Sequence, residues 1–280
     1  MDFTSLLAVS SIFYSQGAPY SIPVEEIYAL AAPFDAAVVD ETLRALGAKG
    51  LVRLSLDGRI AYSTLAGKVA NDEGSVAALV LGSRYISETF GPAVVHIIVD
   101  GPAGERGGTG FFSGDFENSI VTAAHVLHGR TMLRIEDSRG NLLSRGPFQI
   151  RAASEEIDIA VIQCLTPEGV KPLQIEWRPE EIRPLDQVLV LGYPPIANHQ
   201  PALFHAVATI HAIPTDYRGR SKLVVSSITR PGCSGGPLIS ERGFVVGIIE
   251  QENNLVVEHQ TYAFFTATLA QYITEFVQRQ

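Results

Sequence analysis

Cysteine is nearly absent: Cys164 and Cys233 are the only two among 280 residues. That excludes a disulfide-stapled scaffold and a cysteine-rich zinc site, and it suits a reducing compartment. Basic residues are also in short supply, with 21 Lys and Arg against 30 Asp and Glu and a net charge of −9. A chain of that sign repels polyanions, so nucleic acid is not an expected partner. Long apolar runs are missing: no stretch approaches the about 18 uninterrupted apolar residues that a membrane span needs. The run Leu6–Phe13 follows Asp2 with no Lys or Arg before it, whereas an export signal needs a positive leading segment. These features together predict a cytoplasmic protein that does not associate with membranes. No paired ligand spacing recurs among the histidines and carboxylates, so neither a metal nor a cofactor is expected. Gly107, Gly108 and Gly110 lack the strand-then-helix setting of a nucleotide loop and read as a β-turn. What is present is 46% hydrophobic and 18% charged residues, enough for a sizeable core. At about 100–200 residues per domain, two domains are expected.

Residues 1–73 carry helical spacing and one hairpin. Pro23 stands where a helix can start, and Val24, Ile27, Tyr28 and Ala31 make one apolar face before Pro33 stops it. Asp35 is a candidate N-cap for a helix with Val39, Leu43 and Leu46 inside, and Gly47 its stop. Val52, Leu54 and Leu56 alternate with polar residues up to Asp57-Gly58, a type I′ turn signal, and a further helix starts near Leu65. The order helix, helix, helix, hairpin, helix resembles a winged helix-turn-helix domain of small α+β type. Residues 1–80 hold nine acidic and five basic side chains, so the resemblance does not bring DNA binding with it. A regulatory protein docking on this domain is the expected partner. Residues 74–92 read as a helical connector, broken by Gly91-Pro92.

From residue 93 to residue 280 the texture is β-rich, with short runs such as AVVHIIV, IDIAVIQC and FVVGIIEQ between turn signals, and a final helix around Leu269–Phe276. Three segments carry chemistry: TAAHVLHG with His125, EEIDIAVIQC with Asp158, and PGCSGGPLIS with Ser234. A serine hydroxyl is a poor nucleophile unless a base lies within hydrogen-bond reach, and imidazole suits that task near neutral pH. A carboxylate at its other nitrogen fixes the tautomer and stabilises the imidazolium. Asp158, read as lying inside an apolar strand between Ile157 and Ile159, needs such a partner. His128 and the pair Glu155–Glu156 read as solvated. In this order the segments resemble the chymotrypsin-like serine proteases, nearest in texture to the compact bacterial Deg/HtrA-like branch without a PDZ domain. The resemblance implies an all-β double barrel, a His125–Asp158–Ser234 triad, an oxyanion hole from the N–H groups of Gly232 and Ser234, and a protein or peptide substrate.

Cys233 stands where secreted trypsin-like enzymes carry the aspartate that pairs with a newly cut N-terminus, so that activation route is not expected. The resemblance puts the floor of the substrate pocket at Ile228, favouring small or apolar side chains, with Glu250 in the wall as a possible basis for cationic preference. The leading expectation is an intracellular serine endopeptidase controlled through its N-terminal domain. The alternatives are an inactive protease-fold binding scaffold, and a transcription regulator with a protease sensor domain. The oligomeric state is not legible.

Overall fold

The computed structural model describes all residues except 1–2, 15–20, 33, 102–103, 129–131, 177, 179–180, 197–198, 227–231, 258–259 and 278–280, and leaves the side chains of 101, 132, 251–265 and 274 undescribed. The chain divides into two compact units, Met1–Tyr85 and Ile86–Gln280. The division lies within the stretch read as a connector.

The first unit runs α1 (Phe3–Tyr14), β1 (Ser21–Pro23), α2 (Val24–Leu30), α3 (Ala36–Ala48), β2 (Val52–Leu54), β3 (Ile60–Ser63) and α4 (Leu65–Asp72), then enters α5 (Val76–Phe90), which is interrupted at Gly82. The three strands pair in the order β1-β3-β2. Leu6, Val9 and Phe13 of α1 meet Ile27 and the Val39, Leu43 and Leu46 face of α3 in one core. Side-chain caps start two of the helices: Asp35 accepts from Val38 N and Thr64 from Gly67 N, each worth about 1 kcal/mol.

Two local expectations fail here, and the strand β1 was not foreseen. Helix α3 runs through Gly47 to Ala48. The hairpin is not a two-residue type I′ turn, because that turn needs positive φ at both central residues and only Gly58 has it (φ 69). Instead, Gly58 N donates to Ser55 O (2.9 Å), and the Asp57 carboxylate accepts from Ser55 Oγ (2.6 Å) and Arg59 N (3.2 Å). Asp57 thus organises a longer loop from its own side chain. Pro33, read as a helix stop, lies outside the described residues; α2 ends at Leu30.

The second unit begins with β4 (Val94–Gly101), β5 (Gly104–Phe112), β6 (Ser119–Thr122), the short helix α6 (Ala124–Leu127), β7 (Met132–Glu136), β8 (Leu142–Pro147), β9 (Ile150–Ser154) and β10 (Ile159–Gln163). These strands form one antiparallel sheet in the order β8-β7-β4-β5-β6-β10-β9. Next come β11 (Gln187–Gly192), β12 (Phe204–Ala212), β13 (Lys222–Val225), β14 (Pro237–Ser240), β15 (Val245–Val257) and β16 (Gln260–Leu269), which close into a barrel, and α7 (Gln271–Val277).

Of the two barrels expected, then, one is closed and the other is an open, half-barrel sheet. Its end strands explain why: β8 and β9 are mostly exposed, and β8 carries Gly146 and Pro147, which suit an edge. The centre of the sheet is dry, with Ile97, Phe111, Phe112, Ile120 and Ile159 fully buried. Gly107, Gly108 and Gly110 lie in β5 rather than in a β-turn. A Cβ at Gly108 would stand 2.6 Å from Val126, and one at Gly110 2.6 Å from Ile120, so close packing selects glycine there. The barrel has its own core of Val188, Val190, Ile210, Val225, Leu238 and Ile249.

Candidate active site

His125 sits in the single helical turn α6, directly after the buried strand β6. Asp158 does not lie inside a strand. It occupies the turn just before β10, with left-handed backbone (φ 52). For a residue with a Cβ that conformation costs about 1–2 kcal/mol, so its surroundings must hold it there. They do so by bonding to the helical turn: His125 N donates to Oδ1 (2.9 Å), His125 Nδ1 to Oδ2 (2.7 Å), and Ala124 N to the Asp158 carbonyl (3.2 Å). A carboxylate accepts only, so Nδ1 carries the hydrogen and Nε2 is left with its lone pair. The hydrogen bond to Asp158 pushes the His125 pKa up; burial opposes it, and the charges of Asp158 and Glu250 add to the rise.

Ser234 belongs to the turn that leads from residue 232 into β14. Two glycines there have left-handed backbone, Gly232 (φ 94) and Gly235 (φ 84). A Cβ on Gly235 would stand 2.2 Å from both Thr109 O and Thr122 Oγ1, so the turn presses directly on β5 and β6. Gly235 N donates to Ile249 O (2.7 Å) and Gly236 N to Cys233 O (2.9 Å). Among the described residues, the N–H groups of Gly232 and Ser234 have no acceptor. Cys233 is fully buried in the barrel core, in no disulfide. The Ser234 hydroxyl donates to Glu250 O (2.8 Å), and among the described residues it makes no hydrogen bond with His125.

Thr109 of β5 was missed by sequence reading. It is fully buried and holds the Ser234 turn from the sheet side: its N donates to Ser234 O (2.8 Å) and its Oγ1 to Gly232 O (2.7 Å), while Oγ1 accepts from Tyr193 N (2.9 Å). Its only sequence signal is a polar side chain in an otherwise apolar strand end.

Ile228 lies outside the described residues. The Glu250 side chain is buried and committed: Lys222 Nζ donates to both carboxylate oxygens (3.0 and 2.7 Å), and Thr268 Oγ1 contacts one of them. It does not stand in a pocket wall as a bare carboxylate. Glu155, Glu156 and His128 are exposed, as expected, and form surface pairs, Glu155 with His128 (2.9 Å) and Glu156 with Arg218 and Arg220. Among the described residues, no group of three or more His, Cys, Asp or Glu is placed to hold a metal. A cavity of about 450 Å³, lined by Glu176, Leu185, Val188, Ile210 and Arg242 among others, includes none of His125, Asp158 and Ser234.

A closed barrel beside a half-barrel, with a His–Asp pair on one and a glycine-flanked serine on the other, is the arrangement of a trypsin-like peptidase. The family model for the trypsin-like peptidase domain matches residues 108–248, half of the chain, and the chain belongs to that family. Among solved structures it resembles the HtrA-type protease AlgW with a tripeptide (18% identity, TM-score 0.56, covering 70% of this chain and 62% of that one). It also resembles the serine endoprotease from Yersinia pestis (20% identity, TM-score 0.54, covering 70% of this chain and 65% of that one). Both likenesses are of fold, and this chain spans less than two thirds of the length of either structure. No curated protein matches the chain.

Proposed function

We propose that this chain is an intracellular serine endopeptidase whose activity is regulated or recruited through its N-terminal unit. The observation that carries the reading is the two-point bond between Asp158 and His125, which leaves Nε2 as an oriented base in a chain that also presents Ser234 from a left-handed glycine turn. In the proposed reaction Ser234 Oγ turns from Glu250 O to His125 Nε2, gives up its proton there and attacks the scissile carbonyl. His125 then protonates the departing amine, leaving an acyl-enzyme that water hydrolyses with His125 again as base. Asp158 keeps the tautomer and stabilises the imidazolium. The N–H groups of Gly232 and Ser234 receive the oxyanion, and removing one such donor typically costs roughly 10²–10³ in rate. The Glu250 carboxylate is committed to Lys222 and Thr268 and so does not favour a basic side chain, and the proposed preference is for small or apolar side chains before the cleaved bond.

A cytoplasmic setting is supported by the two buried thiols, which form no disulfide. The first unit, with helices around a three-stranded sheet, supports a winged-helix-like domain, and its acidic surface favours a protein partner over DNA. Comparing turnover of the full chain with a chain that begins at Pro92 tests regulation; equal rates with and without partners would sink it.

One observation favours a second reading, a protease-fold binding scaffold: the Ser234 hydroxyl bonds Glu250 O rather than His125. A fluorophosphonate probe separates the two. Labelling that Ser234→Ala abolishes, together with a loss of peptide hydrolysis of about 10⁶-fold in that variant, supports the enzyme. Absence of labelling in the full chain would favour the scaffold.

A further inference from the structure

The left-handed Asp158 is held from two directions. Its own carboxylate and carbonyl bond the turn that carries His125, while the residues just before it are gripped from the barrel. Arg220 Nη1 donates to Glu156 O (3.1 Å), and Thr268 Oγ1 of β16 donates to Ile157 O (3.0 Å). Thr268 is nearly fully buried and also touches Glu250 Oε1. A hydroxyl has one hydrogen, so it donates to either Ile157 O or the carboxylate, never to both at once. Lys222 Nζ donates to both oxygens of Glu250 (3.0 and 2.7 Å) and fixes the carboxylate, so the Thr268 hydroxyl stands between two fixed acceptors, Glu250 Oε1 and Ile157 O. The main-chain carbonyl of Glu250 meanwhile accepts the Ser234 hydroxyl. One residue thus reaches the segment before Asp158 through its side chain and Ser234 through its backbone.

We propose that Glu250, clamped by Lys222 and acting through Thr268, is a positioning residue for the serine-peptidase reaction, fixing the Ile157–Asp158 segment and the resting place of the Ser234 hydroxyl together. The proposal rests on the serine-endopeptidase reading above. It gives a buried glutamate and a buried threonine, neither in the motifs around the reactive residues, a role in holding the His125–Asp158 bond straight. The charged groups that bear on His125 are Asp158 before β10 and Glu250 on β15, with Lys222 of β13 paired to Glu250. Glu156, next to that segment, is neutralised by Arg218 and Arg220.

The test uses full-length variants and two independent readouts, peptide-hydrolysis kinetics and NMR of the His125 imidazole. Thr268→Val removes the grip on Ile157 O. The expected result is a fall in kcat of roughly tenfold or more, with KM within about twofold, and a weakened downfield resonance from His125 Nδ1–H. Thr268→Ser, which keeps the hydroxyl, restores most of both. Glu250→Gln keeps the shape and removes the charge, so the His125 titration midpoint falls. Wild-type kcat and an unchanged resonance in Thr268→Val would overturn the proposal, as would failure of Thr268→Ser to rescue or an unmoved midpoint in Glu250→Gln. If Thr268→Val does not fold, kcat and the His125 Nδ1–H resonance of Glu250→Gln still decide: both weaken if Glu250 positions the segment, and wild-type values of both overturn the proposal. If Ser234→Ala hydrolyses peptide as fast as wild type, the serine-peptidase reading falls, while the NMR results still show whether Glu250 and Thr268 order His125.

Discussion

The two β layers of the second unit hold their reactive side chains in different ways. The open sheet carries His125 and Asp158 already bonded to each other, with the acid gripped at its carboxylate and its carbonyl. The closed barrel carries Ser234 in a turn bonded to Thr109 and Ile249, yet its hydroxyl points to Glu250 O. The more complete barrel therefore holds the less complete half of the site. Closure fixes the backbone, whereas the direction of a hydroxyl is one staggered rotation, made in picoseconds to nanoseconds when nothing else must move. In the proposed reaction, base and acid are preorganised and the nucleophile is poised.

That contrast can be broken from either side. Asp158→Asn strikes the preorganised half: the amide favours the wrong His125 tautomer, and kcat should drop by about 10⁴-fold in steady-state kinetics with the fold intact. Gly235→Ala strikes the fixed backbone of the other half. Its Cβ would meet Thr109 O and Thr122 Oγ1 at 2.2 Å in a left-handed conformation, so thermal melts should show a loss of at least about 3 kcal/mol. A pH series sharpens the comparison further. Because Asp158 raises the His125 pKa, the acid limb of kcat/KM should fall above pH 6.5, and it should move down in Asp158→Asn. The same shift fixes the sign for stability. The His125–Asp158 ion pair contributes fully below the unfolded pKa of about 6.5, and its contribution fades as pH rises through the folded value. The smallest effect is expected from Cys233→Ala, about 1–2 kcal/mol by denaturant titration, with fluorophosphonate labelling of Ser234 retained.

The sequence made the reactive residues legible because their chemistry demands particular types in a particular order. It hid the conformation of Asp158, since the apolar run Ile159–Ile162 looks the same whether the aspartate enters the strand or turns before it. Thr109 and Thr268 were hidden as well. A lone threonine in an apolar strand suits the pleat and gives no sign of the hydroxyl's partner across the fold. Glu250 was noticed for its charge and assigned to the pocket, but its cation, Lys222, lies 28 residues away and only the barrel brings them together. The half-barrel went unseen for a related reason. Closure depends on whether edge strands find partners, and β8 and β9 lack the apolar alternation that would have announced them at all.

The bond from Thr109 to Gly232 links residues 123 positions apart in the chain. Contacts that close such long loops form late, after the local hairpins on either side have found their shapes. The turn around Ser234 consequently takes its final form only once the last-made strands have met the first. A nascent or half-folded chain therefore holds His125, Asp158 and Ser234 but not the arrangement that the proposed hydrolysis requires.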